Sequence, residues 1–238
     1  MKKERIDRIL SGTGRFSRAE ARTVIQKGLV TVDGAVVRDP GAKIERSCAV
    51  AVRDKAVDTS EFVYYMLNKP AGYVSASEPE GCYPPVTDLL PDELRRRGLQ
   101  CAGRLDADVT GLLLLTDDGA FAHRIMSPKT ELPKTYRVRT DGSLTQEHAS
   151  LLAGGVTLKN GTAYRPACLC PDPSNESVGL VTVTEGKFHE VKNLMAVCGR
   201  RVLALERVSV GGLSLDSSLA PGEGRLLTPE ETTLISNC

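Results

Sequence analysis

The sequence contains no tryptophan, and aromatic residues make up only 4% of its 238 positions. No apolar run approaches the ~18 residues that a membrane-spanning helix needs. The start, MKKERIDRIL, returns to charged residues too quickly for the apolar core of a signal peptide. We therefore expect a cytoplasmic protein that does not enter a membrane.

Metal-binding and nucleotide-binding motifs are also missing. The seven cysteines include no C-x-x-C pair and the three histidines are dispersed, which argues against a disulfide framework and against a zinc site. We expect the cysteines to be reduced and mostly buried, with Cys168 and Cys170 at alternating positions of one strand. There is no phosphate-binding loop, dinucleotide-binding glycine motif, H-E-x-x-H pair or G-x-S-x-G elbow. An enzyme with this sequence would work without a cofactor or metal, and carboxylates are the best candidates for its chemistry.

Charge is distributed unevenly, although the net charge is only +1. Residues 1–55 carry 13 Lys/Arg and 7 Asp/Glu, a net charge of +6, and the other residues carry 18 and 23, a net charge of −5. A basic first quarter is typical of a module that binds a polyanion. A solvated helix surface would have the same composition.

Two short helices and a hairpin are predicted in this basic segment. The first helix begins near Ile6, and the second begins with the capping box SRAE at 17–20 and ends at Gly28. LVTVDGAVV then predicts two strands around an Asp-Gly turn. The apolar faces form the core, so the basic side chains must point elsewhere and are well placed to contact a phosphate backbone. These cations are Arg5, Arg8, Arg15, Arg18, Arg22 and Lys27.

The rest of the chain mixes strands and helices. AVDTS, at 56–60, is typical of a linker, so we expect domains at residues 1–57 and 61–238. The patterns predict a strand in FVYYMLNK, a short helix near 91–97, a buried strand at Leu112–Leu115, a helix over 120–126, a strand in KTYRVRT, a helix from Thr145 to the Gly154-Gly155 stop, and strand, turn, helix and strand over 178–215.

An aspartate-rich loop lies directly before the leucine strand, in GRLDADVTGLLLLTDDG at 103–119. Asp106 and Asp108 therefore lie at the edge of buried surface. A carboxylate in this position is either a turn residue or a tuned reactive group, and this stretch alone leaves both open.

Two families resemble this sequence. RIDRILSGTGRFSRAEARTVIQKGLVTVDGAVV resembles the small RNA-binding domain shared by a small-subunit ribosomal protein, bacterial tyrosyl-tRNA synthetases and several RNA-modifying enzymes. Nearly the whole chain resembles the pseudouridine synthases, specifically the family acting on the small ribosomal subunit and its large-subunit relatives, through LNKPAG, GRLD, LLLLTDDG, KTYRV, EGKFHEVK, RVLALERV, GGLSL and LAPGE in this order. This resemblance implies an α+β fold with a mixed, largely antiparallel sheet and flanking helices, preceded by the small helix-hairpin domain.

The same resemblance implies that a uridine of ribosomal RNA is flipped out, that its glycosidic bond breaks, and that the uracil rejoins through carbon without any cofactor. Asp106 occupies the position of the catalytic aspartate, which attacks the sugar or the base or removes a ribose proton. Lys192 matches the basic position that would keep this carboxylate charged, and on a helical wheel it flanks an apolar stripe of Val191, Leu194, Met195 and Cys198. Tyr136 matches a tyrosine that stacks on the uracil, and Arg104 an arginine that fills the gap in the RNA stack. Asp108 is assigned to hydrogen bonds within the loop.

Simpler interpretations of two of these residues stay open. Lys192 could be a surface lysine whose stem covers apolar residues, and Tyr136 an ordinary core tyrosine of a strand. The sequence departs from the family at Val109, Asn193 and Met195, where threonine, a basic residue and phenylalanine are common. These departures put efficiency and target choice in doubt more than activity.

Three functions are weighed from the sequence. A pseudouridine synthase of ribosomal RNA is favoured over a non-catalytic ribosome-assembly factor on the same fold because Asp106, Tyr136 and Lys192 are retained. A glycoside hydrolase is disfavoured, since adjacent turn residues rarely present two carboxyls across a substrate. Small-subunit RNA, free or in an assembling particle, is preferred to large-subunit RNA because the chain ends soon after LAPGEGRLLTPEE, without the basic tail of some large-subunit relatives. We expect a monomer.

The basic first quarter generates a prediction about salt. Because each neutralised phosphate releases counterions, the logarithm of the affinity for RNA should fall linearly with the logarithm of the salt concentration. Filter-binding titrations at several salt concentrations measure this slope. An affinity that does not respond to salt would contradict a phosphate-binding role for these residues.

Overall fold

The computed structural model describes residues 3–236, and of Ser236 only the backbone. Two compact units divide the chain: the first comprises residues 3–63 with 90–99, and the second comprises residues 64–89 with 100–236. Within the described residues, no helix has both the length and the apolar character needed to cross a bilayer.

The first unit contains two helices and a small sheet, with one further helix from the inserted segment. Its elements are β1 (Lys3–Arg5), α1 (Ile6–Gly12), α2 (Arg18–Gln26), β2 (Val30–Val32), β3 (Ala35–Val37), β4 (Lys43–Glu45), β5 (Val50–Val52), β6 (Lys55–Val57) and α3 (Asp92–Arg97). The four-stranded sheet has the order β3-β2-β5-β6, and β1 pairs with β4. Apolar residues of α1 and α2 pack with alternate valines of the sheet to form one core.

Local patterns in the first unit are confirmed. Ser17 and Glu20 form the predicted capping box, in which the Ser17 hydroxyl accepts from the Glu20 N–H at 3.2 Å and the Glu20 carboxylate accepts from the Ser17 N–H at 2.7 Å. Asp33 and Gly34 both adopt positive φ, at 48° and 81°, as the predicted two-residue hairpin requires. The predicted linker is wrong at two positions, because Ala56 and Val57 pair with β5 as part of β6.

Asp7 is a fully buried carboxylate in the first unit. Its Oδ2 atom lies 2.8 Å from Arg5 Nη2 and 3.2 Å from Arg22 Nε. A buried carboxylate is costly unless it is paired and hydrogen-bonded. These two arginines, which the sequence predicts to face outward, are exposed and also offset the charge of Asp7.

The second unit is built on one large sheet. Its elements are β7 (Tyr64–Lys69), β8 (Gln100–Cys101), β9 (Thr110–Thr116), α4 (Gly119–Met126), β10 (Lys134–Thr140), α5 (Gln146–Ala153), β11 (Val156–Thr157), β12 (Ala163–Tyr164), β13 (Cys168–Asp172), β14 (Asn175–Val183), α6 (Glu190–Val197), β15 (Val202–Val210), β16 (Leu213–Ser214), β17 (Gly224–Leu226) and α7 (Pro229–Ser236), with 3₁₀ turns at Val86–Leu89 and Pro128–Thr130. The sheet has the order β13-β14-β10-β15-β9-β7-β17, with β8 on β9 and β16 on β15. Only the β9–β15 pair is parallel, so the predicted α+β class with a mixed, largely antiparallel sheet is confirmed.

The leucine run forms the centre of this sheet. Leu112 to Leu115 are buried on both faces of β9, as a short apolar strand without a solvated side predicts. Gly111 lets β15 approach the start of β9. It has a φ of +97°, and a Cβ atom there would lie 2.3 Å from the carbonyl oxygen of Arg207. The glycine therefore fixes where β9 begins and where the aspartate-rich loop ends.

The cysteines depart from the expectation that they are mostly buried. Of the six that the structure describes, only Cys198 is buried, and Cys82, Cys168 and Cys170 are exposed. Cys168 and Cys170 do alternate on one strand, but β13 is at the edge of the sheet and their shared face is open to solvent.

Asp7 generates a prediction about stability. The hydrogen bond from Arg5 lowers the pKa of Asp7 to about 2, with burial opposing the shift and Arg22 adding to it. Asp7→Asn keeps the shape and removes the charge, and we expect it to lower the free energy of unfolding at pH 7 by about 2 kcal/mol, since bonds to charged groups contribute ~1.5–3 kcal/mol.

The pH dependence of this loss has a definite sign. Because the folded state holds Asp7 ionised to a lower pH than the unfolded state does, the stabilisation is complete above pH ~4 and is lost as the pH falls towards 2. Urea unfolding of both proteins at pH 7 and near pH 2 measures the difference. An undiminished difference near pH 2 would contradict the ion-pair explanation.

Candidate active site

A pocket of about 250 Å³ lies on the second unit. Its lining comes from the loop before β9, the end of α4, strand β10, the end of β14 with the loop that follows it, the start of α6 and strand β15. Strand β15 pairs with β10, so residues at the same level of these two strands point to the same face of the sheet. Tyr136 of β10 and Arg207 of β15 are direct partners in the register.

Asp106 is at the centre of a charged cluster in this pocket. Its Oδ2 atom lies 2.8 Å from Lys192 Nζ and 3.2 Å from His189 Nε2. Lys192 also contacts Asp108 Oδ1 at 2.8 Å. The cluster therefore joins two carboxylates of the loop to a lysine and a histidine at the start of α6.

The helix explains why Lys192 reaches the carboxylates. Val191, Leu194 and Met195 are buried along α6, as the predicted apolar stripe requires, and Lys192 flanks that stripe. Burial alone would lower the pKa of Lys192, but its hydrogen bonds to Asp106 and Asp108 outweigh burial and raise it. Burial likewise would raise the pKa of Asp108, and Lys192 lowers it instead. The lysine is therefore charged at neutral pH.

A buried lysine binds the backbone of the loop that carries Asp106 and Asp108. Lys69, at the end of β7, is fully buried, and its Nζ donates to the carbonyls of Val109 at 2.8 Å, Asp106 at 3.1 Å and Ala107 at 3.4 Å. It also donates to the carbonyl of Pro70 at 3.1 Å. Burial lowers the pKa of Lys69 to about 8, with Asp108 and Asp106 opposing the shift. The ammonium form therefore persists at neutral pH.

The wall opposite Asp106 combines an aromatic ring with buried cations. Tyr136 is buried on β10, and Lys134 and Arg207 are buried beside it. Arg207 Nε donates to the carbonyl of Leu112 at 2.8 Å, and its Nη2 atom is buried without a partner among the described residues. Burial lowers the pKa of Lys134, and Arg207 lowers it further. Two basic side chains therefore line the pocket together with the tyrosine ring.

Glu190 fixes the loop that leads into α6. Its buried carboxylate accepts from the N–H groups of Gly186 at 2.7 Å and Lys187 at 2.9 Å. Burial raises the pKa of Glu190, although these hydrogen bonds oppose the shift. His189 directly before it has a φ of 53°, which is uncommon for a residue other than glycine.

Arg104 lies at the rim of the same pocket. Its Nη2 atom contacts both carboxylate oxygens of Glu80, at 2.9 and 3.0 Å, and both side chains are exposed. An exposed pair of this kind contributes little to stability. The guanidinium can therefore exchange Glu80 for another anion at little cost.

The predicted basic residues of the first unit are all exposed. Arg5 and Arg22 contact Asp7, Arg8 lies 3.1 Å from Glu4, and Arg15 lies 2.8 Å from Glu93. No ion pair of Arg18 or Lys27 occurs among the described residues. Four of the six cations therefore balance carboxylates, and the other two are exposed without an acidic partner within contact distance among the described residues.

Three residues of the site were not predicted, and the predicted role of a fourth was incomplete. Lys69, His189 and Arg207 were given no role, and Asp108 was assigned only to loop hydrogen bonds although it shares Lys192 with Asp106. Each leaves a trace in the sequence. Lys69 ends an apolar strand, Arg207 takes an inward position of a strand two residues after Leu205, and His189 precedes Lys192 by three residues, which places both on one helical face.

The comparisons with known proteins identify the same two families that the sequence motifs resemble. The sequence pattern of the family described as RNA pseudouridylate synthase matches residues 63–197, and that of the S4 domain matches residues 4–47. An uncharacterized RNA pseudouridine synthase of Bacillus subtilis is 40% identical over 98% of this chain and 98% of its own length. Ribosomal small subunit pseudouridine synthase A is 39% identical in Vibrio vulnificus and 38% in Escherichia coli, in each case over 95% of this chain and 97% of the relative.

A solved structure is similar over the same extent. The crystal structure of a pseudouridylate synthase superposes with a TM-score of 0.68 at 33% identity, and covers 97% of this chain and 99% of the other. The likeness therefore includes the helix-hairpin segment as well as the large sheet.

Lys69 generates a prediction that separates it from the other buried lysine. Lys69→Met leaves four carbonyls without this donor, and each buried carbonyl left unpaired costs ~1–3 kcal/mol. Because two of the four have a second donor, the N–H of Val109 or Gly72, we expect the free energy of unfolding to fall by about 3 kcal/mol. Urea unfolding of wild type and variant measures this loss.

Lys134→Met is the matched control. Lys134 is also buried in the second unit, but its Nζ donates to one carbonyl only, that of Leu132 at 3.2 Å. Lys134→Met should therefore lower the free energy of unfolding by about 1 kcal/mol. Equal losses for the two variants would contradict the role of Lys69 beneath the loop.

Proposed function

The chain belongs to the RNA pseudouridylate synthase family, and from this premise we propose that it isomerises one uridine of small-subunit ribosomal RNA to pseudouridine. The observation that carries the proposal is the contact of Asp106 with Lys192 inside a pocket that Tyr136 also lines. The names of the relatives from Vibrio vulnificus and Escherichia coli support the choice of small-subunit RNA.

The pocket suits a nucleoside that has left the RNA stack. Flipping a base costs a few kcal/mol of unstacking, which contacts inside the enzyme must offset. The ring of Tyr136 supplies a stacking surface for the uracil, a contact that contributes ~1–3 kcal/mol. Arg104 at the rim exchanges Glu80 for a phosphate and occupies the space that the base leaves.

The reaction moves one bond. The bond between uracil N1 and the sugar C1′ breaks, a bond between C5 and C1′ forms, and the proton of C5 is lost while N1 gains one. Asp106 either attacks the sugar or the uracil or removes a ribose proton, and Lys192 places its positive charge 2.8 Å from this carboxylate. The uracil carries negative charge when its bond to the sugar breaks, and Lys134 and Arg207 line the pocket where this charge develops.

The departures from the family pattern have structural explanations. Asn193 donates to the hydroxyl of Tyr164 at 2.7 Å, so it binds the protein rather than a phosphate. Met195 and Val109 are buried and fill space near Lys192 and Lys69. None of the three replaces a group to which we assign a catalytic role.

The first unit binds the RNA substrate and so docks the enzyme on it. Its exposed cations Arg18 and Lys27, and the arginines that exchange carboxylates for phosphates, bind structured RNA through the backbone. We further propose that the protein acts as a monomer in the cytoplasm, where the six described cysteines, all free, stay reduced. Its substrate is either free RNA or an assembling small-subunit particle.

Asp106→Asn tests the proposed activity. The amide keeps the size of the side chain but is neither a nucleophile nor a base, so we expect pseudouridine formation to fall by at least about 10²–10⁴-fold. Purified protein is incubated with small-subunit RNA, large-subunit RNA and small-subunit particles, and pseudouridine is then mapped in each.

Asp108→Asn is the control for charge. It removes the other carboxylate that Lys192 contacts, and leaves Asp106 in place, so we expect a loss of about tenfold or less. If the wild type modifies none of the substrates, the remaining interpretation is the non-catalytic ribosome-assembly factor. Activity of Asp106→Asn equal to that of the wild type would contradict the assigned chemistry.

A further inference from the structure

An exposed aromatic stack lies beside the pocket. The rings of Phe188 and His189 are stacked, with their centroids 3.7 Å apart and an angle of 20° between their planes. Phe188 is 79% exposed, more than any other large hydrophobic residue that the structure describes. The imidazole therefore covers one face of the Phe188 ring, and the ring otherwise faces solvent.

The stack is anchored to the reactive carboxylate. His189 lines the pocket, and its Nε2 atom lies 3.2 Å from Asp106 Oδ2. The left-handed backbone of His189, with φ at 53°, is unfavourable for a residue with a Cβ atom. Such conformations are retained where surrounding contacts fix them, and they concentrate at functional sites. Here the contacts are with Asp106 on one side and Phe188 on the other.

We propose that the Phe188–His189 stack is a binding site for a second nucleobase, one that neighbours the everted uridine and stacks on the open face of Phe188. This inference depends on the proposed function. Extruding a uridine removes one stacking partner from each neighbouring base, and an aromatic side chain at the rim of the pocket restores one. The role differs from that of Tyr136, which lies inside the pocket and faces the target itself.

The surroundings favour a nucleobase over an apolar segment of a partner protein. Phe188 lies between Lys187 and His189 in the chain, and its own exposed apolar surface is one aromatic ring. A stable protein interface buries about 800 Å² on each partner, whereas a base needs a single aromatic face. Arg104 lines the same pocket and, once it exchanges Glu80 for a phosphate, binds the RNA backbone beside a stacked base, whereas Lys187 is paired with Glu185 at 2.9 Å.

The absence of tryptophan from the chain permits a direct test. Phe188→Trp introduces a single tryptophan whose emission is quenched when a base stacks on it. The substitution is made together with Asp106→Asn so that RNA is bound and not converted. The probe is a small-subunit RNA fragment that carries the uridine modified by the wild type, or the whole small-subunit RNA if no uridine is modified.

Leu151→Trp in the same background is the matched control. Leu151 is 46% exposed on α5 and is not part of the pocket lining. We expect saturating RNA to quench the tryptophan at 188 at least twofold more than the tryptophan at 151. Equal emission changes at the two positions, with binding verified by filter retention, would overturn the proposal. So would quenching at 188 by ribosomal proteins but not by RNA, which would assign the stack to a protein partner.

Kinetics give a second readout. Phe188→Leu keeps an apolar side chain and removes the ring, and the loss of one base stack should raise KM for RNA about tenfold with kcat nearly unchanged. Phe188→Tyr restores the ring and should restore KM. An unchanged KM in Phe188→Leu would overturn the proposal. Failure of the proposed function is distinguishable: if the wild type forms no pseudouridine but RNA still quenches the tryptophan of the Phe188→Trp variant, the protein has the base site without the reaction.

Discussion

A single buried ammonium group organises the site. The loop from Leu105 to Val109 turns directly before strand β9, and three of its carbonyls point towards the fully buried Lys69. Lys69 supplies the donors that these carbonyls need. Because the backbone of the loop is held from below, the carboxylates of Asp106 and Asp108 keep one orientation above it, and Lys192 meets both at the same distance.

The cations of the site thus divide between two tasks. Lys69 binds backbone and sets the shape of the loop, whereas Lys192 binds the side chains of Asp106 and Asp108. Lys134 and Arg207 have no carboxylate within contact distance among the described residues. Each donates to one backbone carbonyl, and negative charge that enters the pocket offsets more of the cost of burying them. A site of this kind favours a reaction whose intermediate is more anionic than its substrate.

The sequence was most informative where structure is local. The capping box at Ser17, the Asp33-Gly34 hairpin, the leucine strand and the apolar stripe of α6 each depend on contacts within a few residues, and each was predicted. Asp106, Lys192 and Tyr136 were assigned to the site only because several motifs occur together in a known order. Lys69, by contrast, contacts carbonyls 37 to 40 residues away, and every residue has a carbonyl, so no side-chain pattern marks its partners. Arg207 is similar, since its acceptor belongs to Leu112, 95 residues earlier.

Because of helix α3, the two units of the protein cannot be separated by a single cut in the sequence. Residues 90–99 lie inside the sequence of the second unit but belong structurally to the first, so the backbone passes between the units three times. Within the first unit, Gly14 has no room for a side chain, because a Cβ atom would collide with the carbonyl of Glu93. A gene that joined or separated the two parts at one point near residue 60 would leave one part without α3 and the other with a helix that has lost its packing partner. The sequences of the two units therefore stay intact most readily when one gene keeps both.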